Sequence, residues 1–537
     1  MVKMVSLKRG TSIAEVHMGN TNQHQFDENL EQLIAPGKEI DRSLYPGALG
    51  LMANEHLFFP LDQQDWPVKI DSSRQLFVDD YLLAQTNAVK REVHQPSLHP
   101  ANPLIIPDQP WEIRQDKGRQ SVTFPFVHLD QTTGKWRMWY RGEGRYDLPS
   151  GERIPFPGLF AESEDGIVWD KPTLGLHAWK GSKQNNIVFH GGYIWGLFVE
   201  PEEQSERYRA MVKLEYGKRG GYYPYTSHDG LRWQRAQEYP HCVVFGGRVK
   251  GARTYPVGGV GDTSRFYFDE KLGKYIGDVK FVVPAAGGRR FRCRGMMESD
   301  DMVHWSRPYM TFYPDSLDDP DSQIYGHTGF CYQSMWLGFL RVMHSERDAG
   351  RKQTSVELTA SRDGRHWTRV ARGQEFMPLR TPEDWDGNYV DPTSEPILVG
   401  DELRCYYHGA WLGPEPTDDT PQCIGLATLQ RDRFVSLNAA DKPGWALTRP
   451  LTFNAGHLFI NAQVADGGSI TVEVLSADGQ PLKGFYQSDC LAIRDDSTRI
   501  PVAWKEHSVI EPALGQPLSL RFSLTDAKLY AFWVESI

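Results

Sequence analysis

The sequence predicts an all-β protein, in which a five-bladed β-propeller is followed by a C-terminal antiparallel β-sandwich and preceded by an irregular N-terminal extension. Three observations support this fold: a heptapeptide that occurs four times, a pattern of short strands between its copies, and a change to alternating strands after about residue 442. Long repeats indicate architecture more strongly than local propensities do. The predicted domains are 1–73 for the extension, 74–442 for the propeller and 443–537 for the sandwich.

The repeated heptapeptide has the form Ser-x-Asp-x-x-x-Trp, and its serines lie 64, 72 and 62 residues apart. Asp and Ser side chains bond nearby backbone N–H groups and fix a turn, and glycine after the aspartate permits positive φ. The third copy has Met302 in place of glycine, which predicts that positive φ is not required there. We interpret the motif as a structural hairpin. Its copies begin at Ser163, Ser227, Ser299 and Ser361.

Each interval between copies contains several short strands separated by turns, which predicts one four-stranded blade per repeat. A fifth unit covers 391–434, where Ala427 holds the serine position without the Asp or Trp. The run Gln75–Leu83 is predicted to close the last blade. Before the propeller, Phe26–Ile34 is predicted to form a short helix. After it, alternating strands from Leu451 onward predict a sandwich of roughly 90 residues.

The composition restricts the partners and the compartment. The net charge of −10 disfavours nucleic acid and acidic membrane surfaces as partners. No run of about 18 apolar residues occurs, so no membrane span is expected. The N-terminus lacks the apolar core of a secretory signal, which leaves a cytoplasmic location open, or a secreted or periplasmic one if a signal was removed. Six scattered cysteines without Cys-x-x-Cys predict neither a disulfide framework nor a zinc site.

Five blades with Ser-x-Asp-Gly-x-x-Trp hairpins and a C-terminal sandwich resemble the five-bladed glycoside hydrolases of families 32, 43, 68, 117 and 130. Several shorter phrases resemble a group of uncharacterised bacterial proteins classed near them. The resemblance implies a carbohydrate-active propeller, but the Asn-Asp-Pro-Asn-Gly, Arg-Asp-Pro and Glu-Cys-Pro motifs of family 32 do not occur. The phrases are Phe77-Val-Asp-Asp-Tyr81, Asn102-Pro103, Pro110-Trp-Glu112, Trp139-Tyr-Arg141 and Asn185-Asn186.

The candidate catalytic residues are the acids of loops that enter the innermost strands, because those loops surround one mouth of a propeller channel. Glycosidic hydrolysis needs two carboxyl groups that flank the bond, one of them protonated. Asp262 stands at a predicted strand entrance, as a base or nucleophile or else as a turn cap. Glu112 follows Trp111, whose ring can raise a carboxyl pKa as a general acid requires; the alternative is a loop ion pair. Asp319 and Asp386 are further candidates, or solvated loop acids.

Arginines and histidines also accumulate in the loops around the predicted mouth. Arginine suits bidentate recognition of carboxylate or sulfate, which predicts an anionic sugar such as a uronic acid or a sulfated sugar. The alternative is that these arginines pair with the loop acids and brace the loops. The predicted substrate-binding residues are Arg141, Trp111, Arg119, His327, His344 and His408.

Three functional classes remain open at this stage. The first is an exo-acting glycoside hydrolase, since the loop insertion at 145–157 can wall off the channel. The second is a non-catalytic carbohydrate-binding propeller, and the third is a phosphorylase or lyase on the same frame. The expected partner is a carbohydrate substrate, with oligomerisation left open. No cofactor is expected and no ligand spacing demands a metal, although a structural calcium ion in the channel is compatible with this class.

Overall fold

The computed structural model is built almost entirely from β-strands, which confirms the all-β prediction. Asp262, our first catalytic candidate, and the helix predicted at 26–34 lie outside the residues that the structure describes. No described helix has the length and apolarity needed to cross a membrane. The described residues are 67–536 without 115–117, 148–152, 201–205, 215–220, 237–241, 244–260, 262, 285–289, 307, 345–352, 378, 382–383, 412–420, 441 and 512–513.

Seven short strands and one 3-10 helix, Pro110–Glu112, precede the first long sheet. Most of these strands pair with sheets formed by distant parts of the chain, and only β6 and β7 pair with each other. The strands are β1 (Val68–Lys69), β2 (Gln75–Leu76), β3 (Leu83–Asn87), β4 (Lys90–Val93), β5 (Ser97–Leu98), β6 (Ile113–Arg114) and β7 (Arg119–Gln120).

Five antiparallel meanders follow, in which strands that are neighbours in sequence are mostly neighbours in the sheet. The first consists of β8 (Val122–Leu129), β9 (Trp136–Gly142), β12 (Gly158–Ser163) and β13 (Ile187–Phe189), with the hairpin β10 (Arg145–Asp147) and β11 (Arg153–Pro155) inserted. The second consists of β14 (Gly192–Val199), β15 (Tyr208–Leu214), β16 (Gly221–Ser227), β17 (Gln234–Arg235) and β18 (Cys242–Val243). Here β17 and β18 both pair with β16.

The third meander consists of β19 (Arg265–Asp269), β20 (Lys274–Pro284), β21 (Arg290–Ser299) and β22 (Tyr309–Phe312). The fourth consists of β23 (Ser322–Tyr332), β24 (Met335–His344), β25 (Gln353–Ser361) and β26 (Trp367–Arg369). The fifth consists of β27 (Tyr389–Pro392), β28 (Ile397–Val399), β29 (Glu402–Ala410) and β30 (Cys423–Gln430), in which β27 and β28 both pair with β29.

The outer strand of the fifth meander comes from the N-terminal side of the chain. It is β5, which aligns Ser97 with Thr428 and Leu98 with Ala427 of β30. The prediction that Gln75–Leu83 supplies this strand is wrong, because β2 pairs with a C-terminal strand instead. Leu76 and Phe77 are fully buried, each in a different hydrophobic core, whereas both residues of β5 are exposed. An outer strand suits exposed residues, and a run buried on both faces needs an interior position.

The four heptapeptides form the predicted hairpins with almost identical hydrogen bonds. In the fourth copy, Asp363 Oδ1 accepts the backbone N–H groups of Arg365 and His366 at 2.8 and 2.7 Å. Trp367 Nε1 donates to the carbonyl of Gly364 at 3.1 Å. The prediction that Met302 escapes positive φ is wrong, since its φ is 64°. Its side chain is buried in a core of aromatic residues, and that burial offsets the backbone strain.

The hairpins connect each meander to the one before it. Trp139 of the first meander donates to the carbonyl of Gly230 in the second hairpin at 2.7 Å. Met302 of the third hairpin packs in the core of the second meander. Arg365 of the fourth pairs with Glu298 of the third meander at 2.7 Å. The first hairpin accepts a hydrogen bond from Tyr406 of the fifth meander, at the carbonyl of Gly166, at 2.7 Å. With β25 paired to β27, the contacts form a closed cycle.

The C-terminal strands form one ten-stranded sheet together with β1 to β4. Its two long strands pair along most of their length, with a bulge between Val464 and Ser469. Because β31 and the N-terminal strands join this sheet, it includes strands from both sides of residue 442, while the domain bounds themselves stay a prediction. The strands are β31 (Val435–Ala439), β32 (Gly444–Thr448), β33 (Leu451–Thr452), β34 (His457–Ser476), β35 (Ser497–Pro501) and β36 (Leu518–Glu535).

Candidate functional site

Strands of the third, fourth and fifth meanders place a buried charged triad between them. Arg265 of β19 and Arg341 of β24 each contact Asp391 of β27, with N–O distances of 2.9 Å in both cases. Tyr389 adds a hydrogen bond to Asp391 Oδ2 at 3.0 Å. Burial alone raises the pKa of Asp391, but the two guanidinium groups hold it below its ordinary value. Two cations therefore share one carboxylate at the centre of the fold.

A second buried network lies beside the triad and contains His327, which we predicted as a substrate ligand. Its Nδ1 lies 2.8 Å from Asp278 Oδ2, and its Nε2 lies 2.9 Å from Thr359 Oγ1. Arg294 Nε donates to the other oxygen of Asp278 at 2.5 Å. His327 is completely buried, and burial lowers its pKa. With both ring nitrogens bonded in the core, we assign His327 a structural role.

Glu112 is buried and supports the entry to the first meander. Its Oε2 accepts the backbone N–H groups of Asp108 and Gln109 at 2.9 and 3.0 Å. The same oxygen pairs with Lys171 Nζ at 2.9 Å, and Oε1 accepts the Tyr140 hydroxyl at 2.9 Å. Burial raises the pKa of Glu112, as a general acid requires. Its four donors leave little capacity for a substrate proton, so the arrangement is that of a loop anchor.

Asp386 is the other predicted acid that lies inside the protein. Its side chain is buried, with Oδ2 accepting the Tyr407 hydroxyl at 2.7 Å and Oδ1 lying 3.3 Å from Arg380. Trp385 stacks on Tyr407 beside it, with the ring centroids 5.7 Å apart. Burial raises the pKa of Asp386. A substrate could reach this carboxyl group only after a rearrangement of the loop.

Arg141, at the end of β9, combines a cation, aromatic faces and a carboxylate. Its guanidinium carbon lies 4.1 Å from the ring centroid of Phe156 and 5.1 Å from that of Tyr193. It pairs with Glu143 at 2.5 Å, and 16% of its side chain is exposed. Trp111 lies beside this position, because its carbonyl accepts the N–H of Gly144 at 2.9 Å. The backbone of Trp111 thus lies near Arg141, whereas the Trp111 side chain donates to Asn186 Oδ1 at 2.7 Å.

His408 and Arg119, two further predicted binding residues, lie near Arg141. His408 is buried with its Nε2 3.1 Å from Gln422 Oε1 and its ring 5.2 Å from that of Phe124. Burial lowers its pKa to about 3, and the charges of Arg141 and Arg119 act in the same direction. The imidazole is therefore neutral at physiological pH.

The free energy of unfolding is expected to decrease as the pH is lowered, because of His408. Its unfolded pKa of 6.5 lies above the folded value of about 3. Between these values the unfolded state binds more protons, so stability is lost as the pH falls, by up to about 1.4 kcal/mol per pH unit. Urea unfolding between about pH 7 and 5 should show a shallower slope for His408→Gln than for the wild type. Identical slopes for the wild type and His408→Gln would contradict the assignment.

The remaining predicted residues, Asp319 and His344, meet where β23 begins and β24 ends. His344 Nδ1 lies 3.8 Å from Asp319 Oδ2 and 3.6 Å from Asp321 Oδ1. His344 is buried, whereas 52% of the Asp319 side chain is exposed. Among the four predicted acids, Asp319 is thus the one that the structure describes as accessible to solvent.

Sequence reasoning missed Arg265, Arg294 and Asp278, although each carries a signal. All three are charged residues inside strands that also contain several apolar or aromatic residues. Charges are rarely buried without partners, so such positions indicate internal ion pairs. Arg294 and Asp278 pair across neighbouring strands, whereas the partner of Arg265 lies on a strand that is distant in sequence.

No family model matches this chain, and no curated protein matches it. It is similar in structure to a glycosyl hydrolase from Bacteroides ovatus, at 14% identity and a TM-score of 0.41, over 67% of this chain and 97% of that one. It is also similar to an N-acetylgalactosamine deacetylase from F. plautii, at 15% and 0.39, over 65% and 97%. A β-1,2-mannobiose phosphorylase from Listeria innocua matches at 12% and 0.37, over 62% and 96%. With TM-scores below 0.5, these likenesses carry no weight for the activity of this chain.

Proposed function

We propose that the chain is an exo-acting glycoside hydrolase of the five-bladed β-propeller superfamily and that its substrate sugar carries a carboxylate or a sulfate. The five meanders are the blades, and the cycle of hairpin contacts that ends at Tyr406 and Gly166 supports ring closure. The ten-stranded sheet folds into the β-sandwich. Side chains from both sides of its bulge, such as Ile460 and Val472, share one core, as two packed layers require.

The observation that carries this proposal is the environment of Arg141. Its guanidinium can pair with an anionic group on a sugar, and the rings of Phe156 and Tyr193 offer aromatic faces beside it. Glu143 supplies a carboxylate at the same position. The triad of Arg265, Arg341 and Asp391 adds net positive charge nearby, which favours an anionic ligand.

Two carboxyl groups are needed to hydrolyse a glycosidic bond. We assign Glu112 and Asp386 to loop support because each accepts hydrogen bonds from the groups that hold its own loop. Asp262 stays the first candidate for the base or nucleophile, as predicted from its place in the sequence. Glu143 is the described candidate for the second group, because it lies beside Arg141, where the sugar is proposed to bind. The exo mode follows from the insertion at 145–157, whose β10–β11 hairpin extends the rim beside Arg141.

The experiment is a hydrolysis screen with matched pairs of neutral, uronic and sulfated glycosides. We expect turnover of an acidic member, and Asp262→Asn should lower kcat by about a hundredfold or more. Arg141→Gln should lower kcat/KM for the acidic substrate by about 10- to 100-fold, the value of a charged hydrogen bond, and leave its neutral partner unchanged. Glu164→Gln on an exposed hairpin is the control.

Three outcomes would contradict the proposal. Binding without turnover of any substrate in the screen would indicate a carbohydrate-binding propeller. Phosphate-dependent release of a sugar phosphate, or release of an unsaturated sugar, would indicate a phosphorylase or a lyase. Activity of Asp262→Asn within about tenfold of the wild type would remove Asp262 from the catalytic residues.

A further inference from the structure

We propose that Asp319, Asp321 and His344 bind one divalent transition-metal ion of the Mn²⁺ or Zn²⁺ class. One ligand atom from each of these residues lies within 4.8 Å of the other two. The two aspartates immediately precede β23, and the histidine ends β24, so two neighbouring strands hold the set in place. The composition had led us to expect no metal, and the position of His344 changes that expectation.

The distances within the cluster match a coordination shell better than a hydrogen-bonded pair. His344 Nδ1 lies 3.6 Å from Asp321 Oδ1 and 3.8 Å from Asp319 Oδ2. An N–O hydrogen bond is usually about 2.7–3.2 Å long. Two ligands that each bind one ion at about 2.1 Å, at tetrahedral or octahedral angles, lie about 3.0–3.5 Å apart. The two histidine–aspartate distances therefore exceed the upper of these values by a few tenths of an ångström.

The imidazole is fixed before any ion binds. His344 is 8% exposed and pairs in register with Ser322, whose hydroxyl lies 3.4 Å from the same Nδ1. The N–H of Ser322 also donates to the carbonyl of Asp319 at 2.9 Å, which holds the aspartate turn against the strand. A histidine that is nine-tenths buried and directed at two carboxylates differs from a solvated acidic loop, because burying an imidazole costs free energy unless it gains an interaction.

Two other acids of the same loop, Asp315 and Asp318, are bound by arginines. Arg372 binds Asp315 through two nitrogens, at 2.6 and 2.9 Å. Asp318 is bound by Arg369 at 2.5 Å and by Arg372 at 3.1 Å. Asp319 and Asp321 are the aspartates of this loop that lie within 4 Å of His344 Nδ1.

The ligand set determines the class of metal. Calcium and magnesium prefer oxygen ligands throughout, and the imidazole nitrogen favours a transition ion. Three protein ligands leave coordination positions open, as in metal sites that bind water or a substrate oxygen. Asp319 is then a metal ligand rather than a proton donor. The site stands on its own geometry and does not depend on the proposed glycosidase activity.

Metal binding can be measured on the full chain without any substrate. After treatment with a chelator, the protein is titrated with Mn²⁺ and separately with Zn²⁺, followed by calorimetry and elemental analysis. We expect about one ion per chain and a higher melting temperature on binding. Asp319→Asn should weaken the affinity by at least about 10- to 100-fold, since even loss of an outer-shell partner costs that much. His344→Gln should do the same.

The controls are chosen to keep the test decisive. His304→Gln removes an exposed histidine that pairs with Asp301, and it should bind metal as the wild type does. Asp319 is exposed, so Asp319→Asn is expected to fold even if His344→Gln does not. Absence of binding to the wild type would overturn the proposal, and so would equal affinities for the wild type and Asp319→Asn. Neither result depends on whether the protein hydrolyses a sugar.

Discussion

Replacing Asp391 by Asn is expected to lower the free energy of unfolding by about 3–5 kcal/mol, because it leaves Arg265 and Arg341 buried without a counter-charge. Both arginines are at most 1% exposed, so water cannot replace the lost partner. Burial already lowers the pKa of Arg341 to about 10, and the neighbouring Arg265 adds to this effect. Urea unfolding of the wild type and the variant measures the difference directly.

A double variant distinguishes the effect of an unpaired buried charge on stability from the effect of lost packing. Asp391→Asn combined with Arg341→Met should recover part of the lost stability, since one buried cation is removed with its partner. Glu164→Gln, whose side chain is 81% exposed, should change stability by no more than about 0.5 kcal/mol. A loss below about 1 kcal/mol for Asp391→Asn would show that the two arginines find other partners or solvent.

Glu112→Gln is expected to lower the free energy of unfolding by about 3 kcal/mol, because an amide cannot accept all of the hydrogen bonds that the carboxylate accepts. The amide N–H₂ group would face the Tyr140 hydroxyl or the donors around Oε2, where Lys171 also loses its buried counter-charge. Thermal and urea unfolding should show the loss, and kcat should stay within about tenfold of the wild type at temperatures where the variant is folded.

The same variant tests the role that the sequence predicted for Glu112. A catalytic acid would give the opposite result, with unfolding almost unchanged and kcat lower by about a hundredfold or more. Lys171→Met provides a matched comparison, because it removes the cation and leaves the backbone donors of the loop in place. It should destabilise the protein through the same anchor.

The sequence predicted the local features of the fold well and the long-range ones less well. The hairpins at Asp165, Asp229, Asp301 and Asp363 were predictable because the hydrogen bonds that form each turn lie within seven residues. The strand that completes the fifth meander was predicted wrongly, because apolarity marks Leu76 and Phe77 as strand residues without showing which sheet they join. Met302 was misjudged because tertiary burial outweighed its backbone preference.

In the candidate site, too, local features were predicted better than long-range contacts. Arg141 was predicted from its position at a strand end and Trp111 as a ring that could stack on a sugar, and both stay predicted binding residues, with only the Trp111 backbone near Arg141. Glu112 was found as an unusual carboxyl group, but its four donors come from three parts of the chain and are not visible in sequence. Arg265 was missed altogether, because its partner Asp391 lies on a strand of another meander. Ionic networks of this kind depend on topology, which spacing alone does not determine.

The pairing of β5 with β30 has a consequence for biosynthesis. Residue 97 leaves the ribosome long before residue 428, so β5 cannot pair with β30 until most of the chain has been made. Until then the backbone of β5 is unpaired. It is exposed to other chains, and so is the open side of the first meander. A nascent chain released before residue 430 would retain two open edges and is expected to aggregate rather than to fold partially.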